Sequence, residues 1–147
     1  MTRLLARVWQ LPLVEKRRLF EAGMTLLTVR ALLAVRRYRS VAASSQRVRD
    51  RSLAAVDASR EASVVCRSIE AVGQRTPGCT CLVQALAAQR MLGRRGVATK
   101  LQIGARRGDD EGLDAHAWLE RNGEIILGGG TAPYHPLPLP PHTESSQ

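Results

Sequence analysis

The chain has 147 residues, with 22 Lys and Arg against 13 Asp and Glu and a formal net charge of +9 at pH 7. This length fits one domain, or one small domain with an appended helical part. Aromatic residues make up only 3% of the chain, so a core has to consist mostly of Leu, Val and Ala. Residues 1–75 hold 15 Lys and Arg against 6 Asp and Glu, whereas residues 76–147 hold 7 of each sign. The positive first half predicts an acidic partner: an acidic peptide, nucleic acid or an anionic membrane surface.

The cysteine count and the opening segment indicate the compartment. An odd number of cysteines does not suit a disulfide framework and favours a reducing environment. Pro12 and the charged cluster at 15–18 interrupt the opening apolar residues, so no secretory signal is evident. The most apolar segment, 24–35, is split by Arg30 and is shorter than the roughly 20 residues needed to cross a bilayer. We therefore expect a soluble, cytoplasmic protein. The three cysteines are Cys66, Cys79 and Cys81.

The first half is predicted to be helical. Pro12 is placed to open a helix that runs to about residue 37, because proline is favoured in a first turn. Arginines gather toward the end of this helix, where they favour its dipole. A second helical stretch covers about 45–72, either continuous or restarting at 57–59. The apolar set of the first helix is Val14, Leu19, Leu26, Leu27 and Leu33, and its arginines are Arg30, Arg36, Arg37 and Arg39.

The turn-forming stretch 74–78 marks the predicted boundary between the two halves. Thr80 can then cap a helix that runs from Cys81 to about Arg94, and Gly96 can end it in the left-handed conformation. Apolar and polar residues then alternate over three segments, which predicts strands at 97–103, 115–120 and 124–127.

The connections between these strands are also predicted. Asn122-Gly123 is the strongest short hairpin signal, and 106–112 reads as a charged loop. The prolines between 133 and 141 preclude regular strand pairing, so the end of the chain is expected to be extended. The predicted fold is α+β, with a basic helical region at 1–75, a core at 76–132 and a Pro-rich tail at 133–147.

Cys81 and His116 are the residues that point most clearly to chemistry. Cys81 is predicted at a helix N-terminus, where the helix dipole and free backbone N–H groups stabilise a thiolate. His116 lies on a predicted strand and can hold the thiol proton and later deliver it to a leaving group. The pair predicts a nucleophilic cysteine with a histidine acid–base partner.

Other interpretations of these residue types have less support. A lone cysteine is more commonly buried and inert, but Cys81 directly follows a turn at a helix start. Cys79 lies outside the predicted helix and is expected to be a bystander. A Cys-x-Cys metal site would need further ligands at suitable spacing, so no metal or other cofactor is expected. His135 and His142 belong to the tail and are expected to be solvated. The basic half lacks a nucleic-acid recognition motif and interleaved aromatics, so we expect no nucleic-acid partner.

These residues resemble the transglutaminase-like leader peptidases of lasso-peptide biosynthesis. The resemblance covers most of the chain and includes its arginine- and leucine-rich helical opening. It implies a transglutaminase- or papain-like core in which the Cys-bearing helix packs on an antiparallel sheet. The motifs that carry it are Cys81-Leu82-Val83-Gln84-Ala85-Leu86-Ala87, Leu92-Gly93-Arg94-Arg95-Gly96, Leu101-Gln102-Ile103-Gly104 and Ala115-His116-Ala117-Trp118-Leu119-Glu120.

The resemblance implies a thiol protease that cuts the leader from a ribosomally made precursor, after which an ATP-dependent lactam synthetase closes the ring. A separate leader-recognition protein holds the leader in actinobacterial forms, and this short chain shows no such domain. The implied partners are the precursor peptide, the recognition protein and the synthetase. A weak contact with a membrane surface stays open. The alternatives are an inactive peptide-binding scaffold and an acyl transferase that uses an amine.

The third catalytic residue usual in this family, an Asp downstream of the histidine, is not found. Counting from the turn at 122–123, His116 falls opposite Gly129, where no carboxylate exists. Glu120 shares a strand face with His116 but lies four residues away, about 13 Å along the strand. Asp114 shares that face and is two residues away. The sequence therefore predicts a dyad, with Asp114 and Glu120 as candidates for a third member.

Overall fold

The structure, a computed structural model, describes residues 12–35, 55–108, 112–130 and 134–137. These residues form three helices and one four-stranded antiparallel sheet with strand order β3-β2-β1-β4, so the predicted α+β fold is confirmed. Among them, no helix is both long enough and apolar enough to span a membrane. The elements are α1 (Leu13–Val35), α2 (Ala55–Gly73), α3 (Cys81–Gly93), β1 (Lys100–Arg107), β2 (Leu113–Arg121), β3 (Glu124–Leu127) and β4 (His135–Pro136).

Several sequence predictions fall on residues that lie outside the described ranges. They concern the end of the first helix, the first part of the second helical stretch, the middle of the charged loop and the last residues of the tail. The residues concerned are Arg36, Arg37, Arg39, 45–54, 109–111 and His142.

The first helix starts where its proline predicts, but its apolar residues do not share one face. The Pro12 carbonyl accepts hydrogen bonds from Glu15 N at 2.9 Å and Lys16 N at 3.2 Å, so the helix begins just after the proline. Of the predicted apolar set, Leu26 is fully buried, whereas Val14 and Leu27 are exposed. The buried side of α1 is made instead by Ala22, Thr25, Leu26 and Val29.

The second helix, α2, is continuous from Ala55, so the alternative of a restart at 57–59 is wrong. Val65 and Ile69 are buried on its inner side and join the same core cluster as Leu26 of α1 and Leu86 of α3. The helical first half and the sheet therefore share one hydrophobic core.

Ion pairs tie the three helices together at one end of this core. Arg95, just after α3, contacts both carboxylate oxygens of Glu21 on α1, and its Nε lies 3.4 Å from Glu61 on α2. Arg18 of α1 reaches the same Glu61 at 2.8 Å. These side chains are partly exposed, so the network fixes the geometry of the helices more than it stabilises the fold.

The sheet confirms the predicted hairpin and corrects two strand limits. Asn122 and Gly123 both have positive φ, 51° and 81°, which is the backbone that a two-residue hairpin turn requires. The first strand covers Lys100–Arg107 instead of 97–103, since Val97 is buried in the connection that follows α3. Arg106 therefore lies in a strand and not in the charged loop.

A bulge between Leu119 and Glu120 changes the register that the hairpin alone predicts. Glu120 pairs with Ile125 as expected, but Leu119 pairs with Leu127, so one residue of β3 is passed over. The count that placed His116 opposite Gly129 is therefore wrong by one position, because a bulge sets two residues against one.

The tail also forms a short strand. His135 and Pro136 pair with Ala105 and Gly104 of β1, and Leu137 N donates to Ile103 O at 2.8 Å. The expectation that prolines would prevent regular pairing is wrong for these two residues. Proline is tolerated here because β4 is an edge strand, where a missing N–H costs no ladder bond.

Candidate active site

Cys81 is the first residue of α3, as predicted. Thr80 caps the helix with extended backbone, and its hydroxyl accepts a hydrogen bond from Val83 N at 3.4 Å. Among the described residues, no acceptor is hydrogen-bonded to the backbone N–H groups of Cys81 and Leu82. The Cys81 side chain is partly buried and packs against the core cluster. Two N–H groups without a described acceptor and the positive end of a helix thus lie at a partly accessible sulfur, an arrangement that can stabilise an anionic intermediate formed there.

The loop before Cys81 is held by the first helix. The Arg30 guanidinium donates to Pro77 O at 2.7 Å, and Gly78 follows with φ 76°. A Cβ on Gly78 would lie 3.0 Å from Arg30 Cζ, so glycine is needed both for the backbone and for the close approach. Gln84 of α3 donates to Cys79 O at 3.1 Å. The loop that leads to Cys81 is therefore positioned from α1 and α3 together.

One of the three cysteines is buried, and the other two are partly exposed. Cys66 is 4% exposed in the core, and burial, reinforced by Glu70, raises the pKa of its thiol to about 12. A thiol with so high a pKa stays protonated and unreactive near neutral pH. Cys79 and Cys81 are both partly exposed.

Alkylation of the folded protein checks this difference. We expect iodoacetamide at pH 7.5 to modify Cys79 and Cys81 while leaving Cys66 unmodified, because burial hides the sulfur and keeps it protonated. Peptide mapping by mass spectrometry measures each site, and alkylation in urea, where all three should react, is the control. Equal labelling of Cys66 in the folded protein would contradict its burial.

His116 is held in one orientation by a backbone carbonyl and two aromatic rings. Its Nε2 lies 3.0 Å from Gly128 O. Because a carbonyl can only accept, Nε2 carries the hydrogen, and Nδ1 of the neutral ring keeps the lone pair that can take a proton. The ring stacks on Trp118, with centroids 6.2 Å apart, and lies against Tyr134 at 5.1 Å. His116 therefore has an orienting acceptor, although no carboxylate of the described residues is hydrogen-bonded to it.

The structure does not join His116 to Cys81. Helix α3 packs on β2, and Ala117 and Leu119 of this strand belong to the core cluster that Cys81 also contacts. Since strand side chains alternate, His116 belongs to the other face of the sheet, together with Trp118. No hydrogen bond between Cys81 and His116 is present in the structure. The elements that carry the two groups are in contact, and the catalytic dyad stays a prediction.

Asp114 is engaged with groups other than the histidine. Arg106 Nε donates to its carboxylate at 2.8 Å, and Tyr134 Oη donates to the same oxygen at 3.0 Å. The hydrogen bond from Arg106 and then that from Tyr134 lower the pKa of Asp114, and the nearby charge of His116 adds to the effect. Asp114 is therefore an anion that lies near His116 but accepts its hydrogen bonds from Arg106 and Tyr134.

The Glu120 carboxylate is also hydrogen-bonded to groups other than His116. Its two carboxylate oxygens accept hydrogen bonds from Trp118 Nε1 at 2.8 Å and from Gln102 Nε2 at 3.3 Å. Because Trp118 stacks on His116, Glu120 holds in place the indole ring that packs against the histidine.

In the described residues, no group of three or more His, Cys, Asp or Glu side chains is arranged to hold a metal ion.

Two contributors to the site, Gly128 and Tyr134, were not predicted from the sequence. Gly128 has φ 81°, and a Cβ there would lie 2.9 Å from Ala117 O, so only glycine brings its carbonyl to His116. The run of glycines after β3 was a usable signal for such a close approach. Tyr134 gave no comparable signal, because its place beside His116 depends on the pairing of β4.

The comparison with protein families agrees with this architecture. Residues 24–138 match the family model of the transglutaminase-like superfamily, so the chain belongs to that superfamily. No curated protein and no solved structure matches the chain significantly. The superfamily includes cysteine proteases, which is consistent with an enzyme of the cysteine peptidase or acyltransferase type.

Proposed function

We propose that this protein is a cysteine peptidase that removes the leader peptide from a ribosomally synthesised lasso-peptide precursor before macrolactam closure. The observation that carries the proposal is Cys81 at the first position of α3, beside N–H groups that have no acceptor among the described residues, in a chain of the transglutaminase-like superfamily. The ordered motifs around Cys81 and His116 supply the link to leader peptidases.

In the proposed mechanism, the Cys81 thiolate attacks the carbonyl carbon of the leader–core bond. The oxyanion is stabilised by the backbone N–H of Cys81 and by that of Leu82, the next donor at the helix end. His116 protonates the departing amine of the core peptide, and the leader stays on Cys81 as a thioester. His116 then takes a proton from water, which attacks the thioester and releases the leader as a free acid. Because His116 belongs to the face of the sheet away from α3, the proposal includes a rearrangement of β2 that brings His116 to Cys81 when the precursor binds.

A peptide-binding scaffold without catalysis is the second candidate. It is favoured by one observation, the absence of a hydrogen bond between Cys81 and His116. Mass spectrometry of the precursor after incubation separates the two candidates, because hydrolysis yields a core peptide and a leader acid heavier by one water in total. A leader carrying an added amine would indicate acyl transfer instead.

Dependence on a second protein provides a further prediction. We expect slow cleavage of full-length precursor by this chain alone and faster cleavage when the leader-recognition protein is added, because a bound leader raises the local concentration of the scissile bond. Initial rates with and without the recognition protein test this. A precursor shortened to the few leader residues next to the cleavage site keeps the scissile bond and should show no stimulation, and full activity without a second protein would contradict the prediction.

A further inference from the structure

The outer side of α1 carries a second apolar stripe. Leu13, Phe20, Met24 and Leu27 are 78%, 71%, 51% and 50% exposed, respectively. At 100° per residue they fall on one side of the helix, opposite Ala22, Leu26 and Val29 in the core. A helix that is apolar on both sides has one face in the core and one face available to a partner.

The middle of this stripe lines a groove between α1 and the end of α3. Phe20, Met24 and Thr28 form one wall, and Arg90 and Arg94 form the other, around a cavity of about 260 Å³. A neighbouring cavity of about 740 Å³ extends the space from Phe20 toward Val14 and Arg17. We call the space bounded by Phe20, Met24, Thr28, Arg90 and Arg94 the α1 groove.

The charge of the α1 groove is uncompensated. Arg90 and Arg94 form no ion pair with any described residue, and Glu21, the acid at the groove, is already bound by Arg95. Partial burial and then the charge of Arg94 lower the pKa of Arg90, as expected for two neighbouring cations without an anion between them. An acidic ligand would relieve this repulsion, whereas a neutral ligand would bury the guanidinium groups unpaired.

We propose that the α1 groove binds an acidic amphipathic helix of a partner protein. Apolar side chains of that helix would pack on Phe20 and Met24, as in helix-in-groove recognition, and its carboxylates would pair with Arg90 and Arg94. This docking site does not rest on the proposed peptidase activity, because none of its residues belongs to the site around Cys81 and His116.

The test measures binding of a fluorescein-labelled 18-residue peptide, with Leu at every third or fourth position, Glu beside each Leu and Ala at the remaining positions, to the Cys81→Ala protein by fluorescence anisotropy. Cleavage is thereby separated from binding. We expect Arg90→Gln with Arg94→Gln to weaken binding about 10-fold or more and to flatten its salt dependence. Phe20→Ser with Met24→Ser should weaken binding by a similar factor and keep the salt dependence.

Matched controls make these losses specific. Arg60→Gln with Arg67→Gln removes the same charge from exposed positions of α2 outside the groove. This control variant should bind the peptide with the same affinity as the protein whose groove is unsubstituted. A peptide with Lys for Glu and one with Ser for Leu should both bind weakly. Circular dichroism melting checks that each variant folds; if the Phe20 and Met24 variant does not, the arginine pair alone decides.

Three results would overturn the proposal. The first is a peptide affinity that is undetectable or unaffected by either pair of substitutions. The second is binding to phosphatidylserine vesicles without binding to the peptide, which would assign the surface to a membrane. The third is self-association in analytical ultracentrifugation that disappears in the Phe20 and Met24 variant, which would assign the groove to a second copy of this chain.

Discussion

Replacement of Cys81 by alanine is expected to abolish cleavage of the precursor, with a loss of at least about 10³-fold in rate. The thioester cannot form without the sulfur, and a helix N-terminus alone offers no other nucleophile. The measurement is mass spectrometry of the precursor after incubation with each variant, alongside melting curves that show the variants to be folded.

Two other cysteines serve as controls for this result. Cys79→Ala and Cys66→Ala should largely retain activity, because Cys79 precedes the helix and Cys66 is buried with its thiol protonated. Unimpaired cleavage by Cys81→Ala would favour the scaffold candidate. Loss of activity in Cys79→Ala but not in Cys81→Ala would assign the role of nucleophile to Cys79.

The second large effect is expected at His116. Its replacement by alanine should lower the rate of cleavage at least about 100-fold, the scale for removing a general acid–base. The Cys81 sulfur remains in this variant, so a residual rate above that of Cys81→Ala should persist. Steady-state rates of this variant, compared with those of the unsubstituted protein and of Cys81→Ala, measure the loss.

The neighbouring carboxylates distinguish a dyad from a triad. Asp114→Asn and Glu120→Gln should lose less activity than His116→Ala, since Asp114 is bound by Arg106 and Tyr134, and Glu120 by Trp118 and Gln102. If either variant is as impaired as His116→Ala, that carboxylate is the missing third member.

Features set by neighbouring residues were predictable from the sequence. The Thr80 cap, the start of α3 at Cys81 and the Asn122-Gly123 turn each depend on a few adjacent residues, and all three are present. The α+β fold followed from the same local signals, because helical and alternating segments occupy different parts of the chain.

Features set by distant contacts were not predictable. The bulge at Leu119 arises where two strands meet, and no local propensity fixes which residue is passed over. The pairing of His135 with Ala105 brings Tyr134 to His116, across a separation that a proline-rich composition does not reveal. The exposed apolar stripe of α1 was not predictable either, because a helix that is apolar on both sides gives no clear amphipathic period.

The hydrogen bond from Arg30 to Pro77 has a consequence for dissecting the protein. A fragment that begins at residue 76 would keep every residue of the proposed chemistry but lose the guanidinium that holds the loop before Cys81. It would also expose Leu86 and Met91, which are fully buried in the intact chain. Truncation experiments on this chain therefore cannot separate recognition from catalysis, and point substitutions in the full-length protein are needed for that purpose.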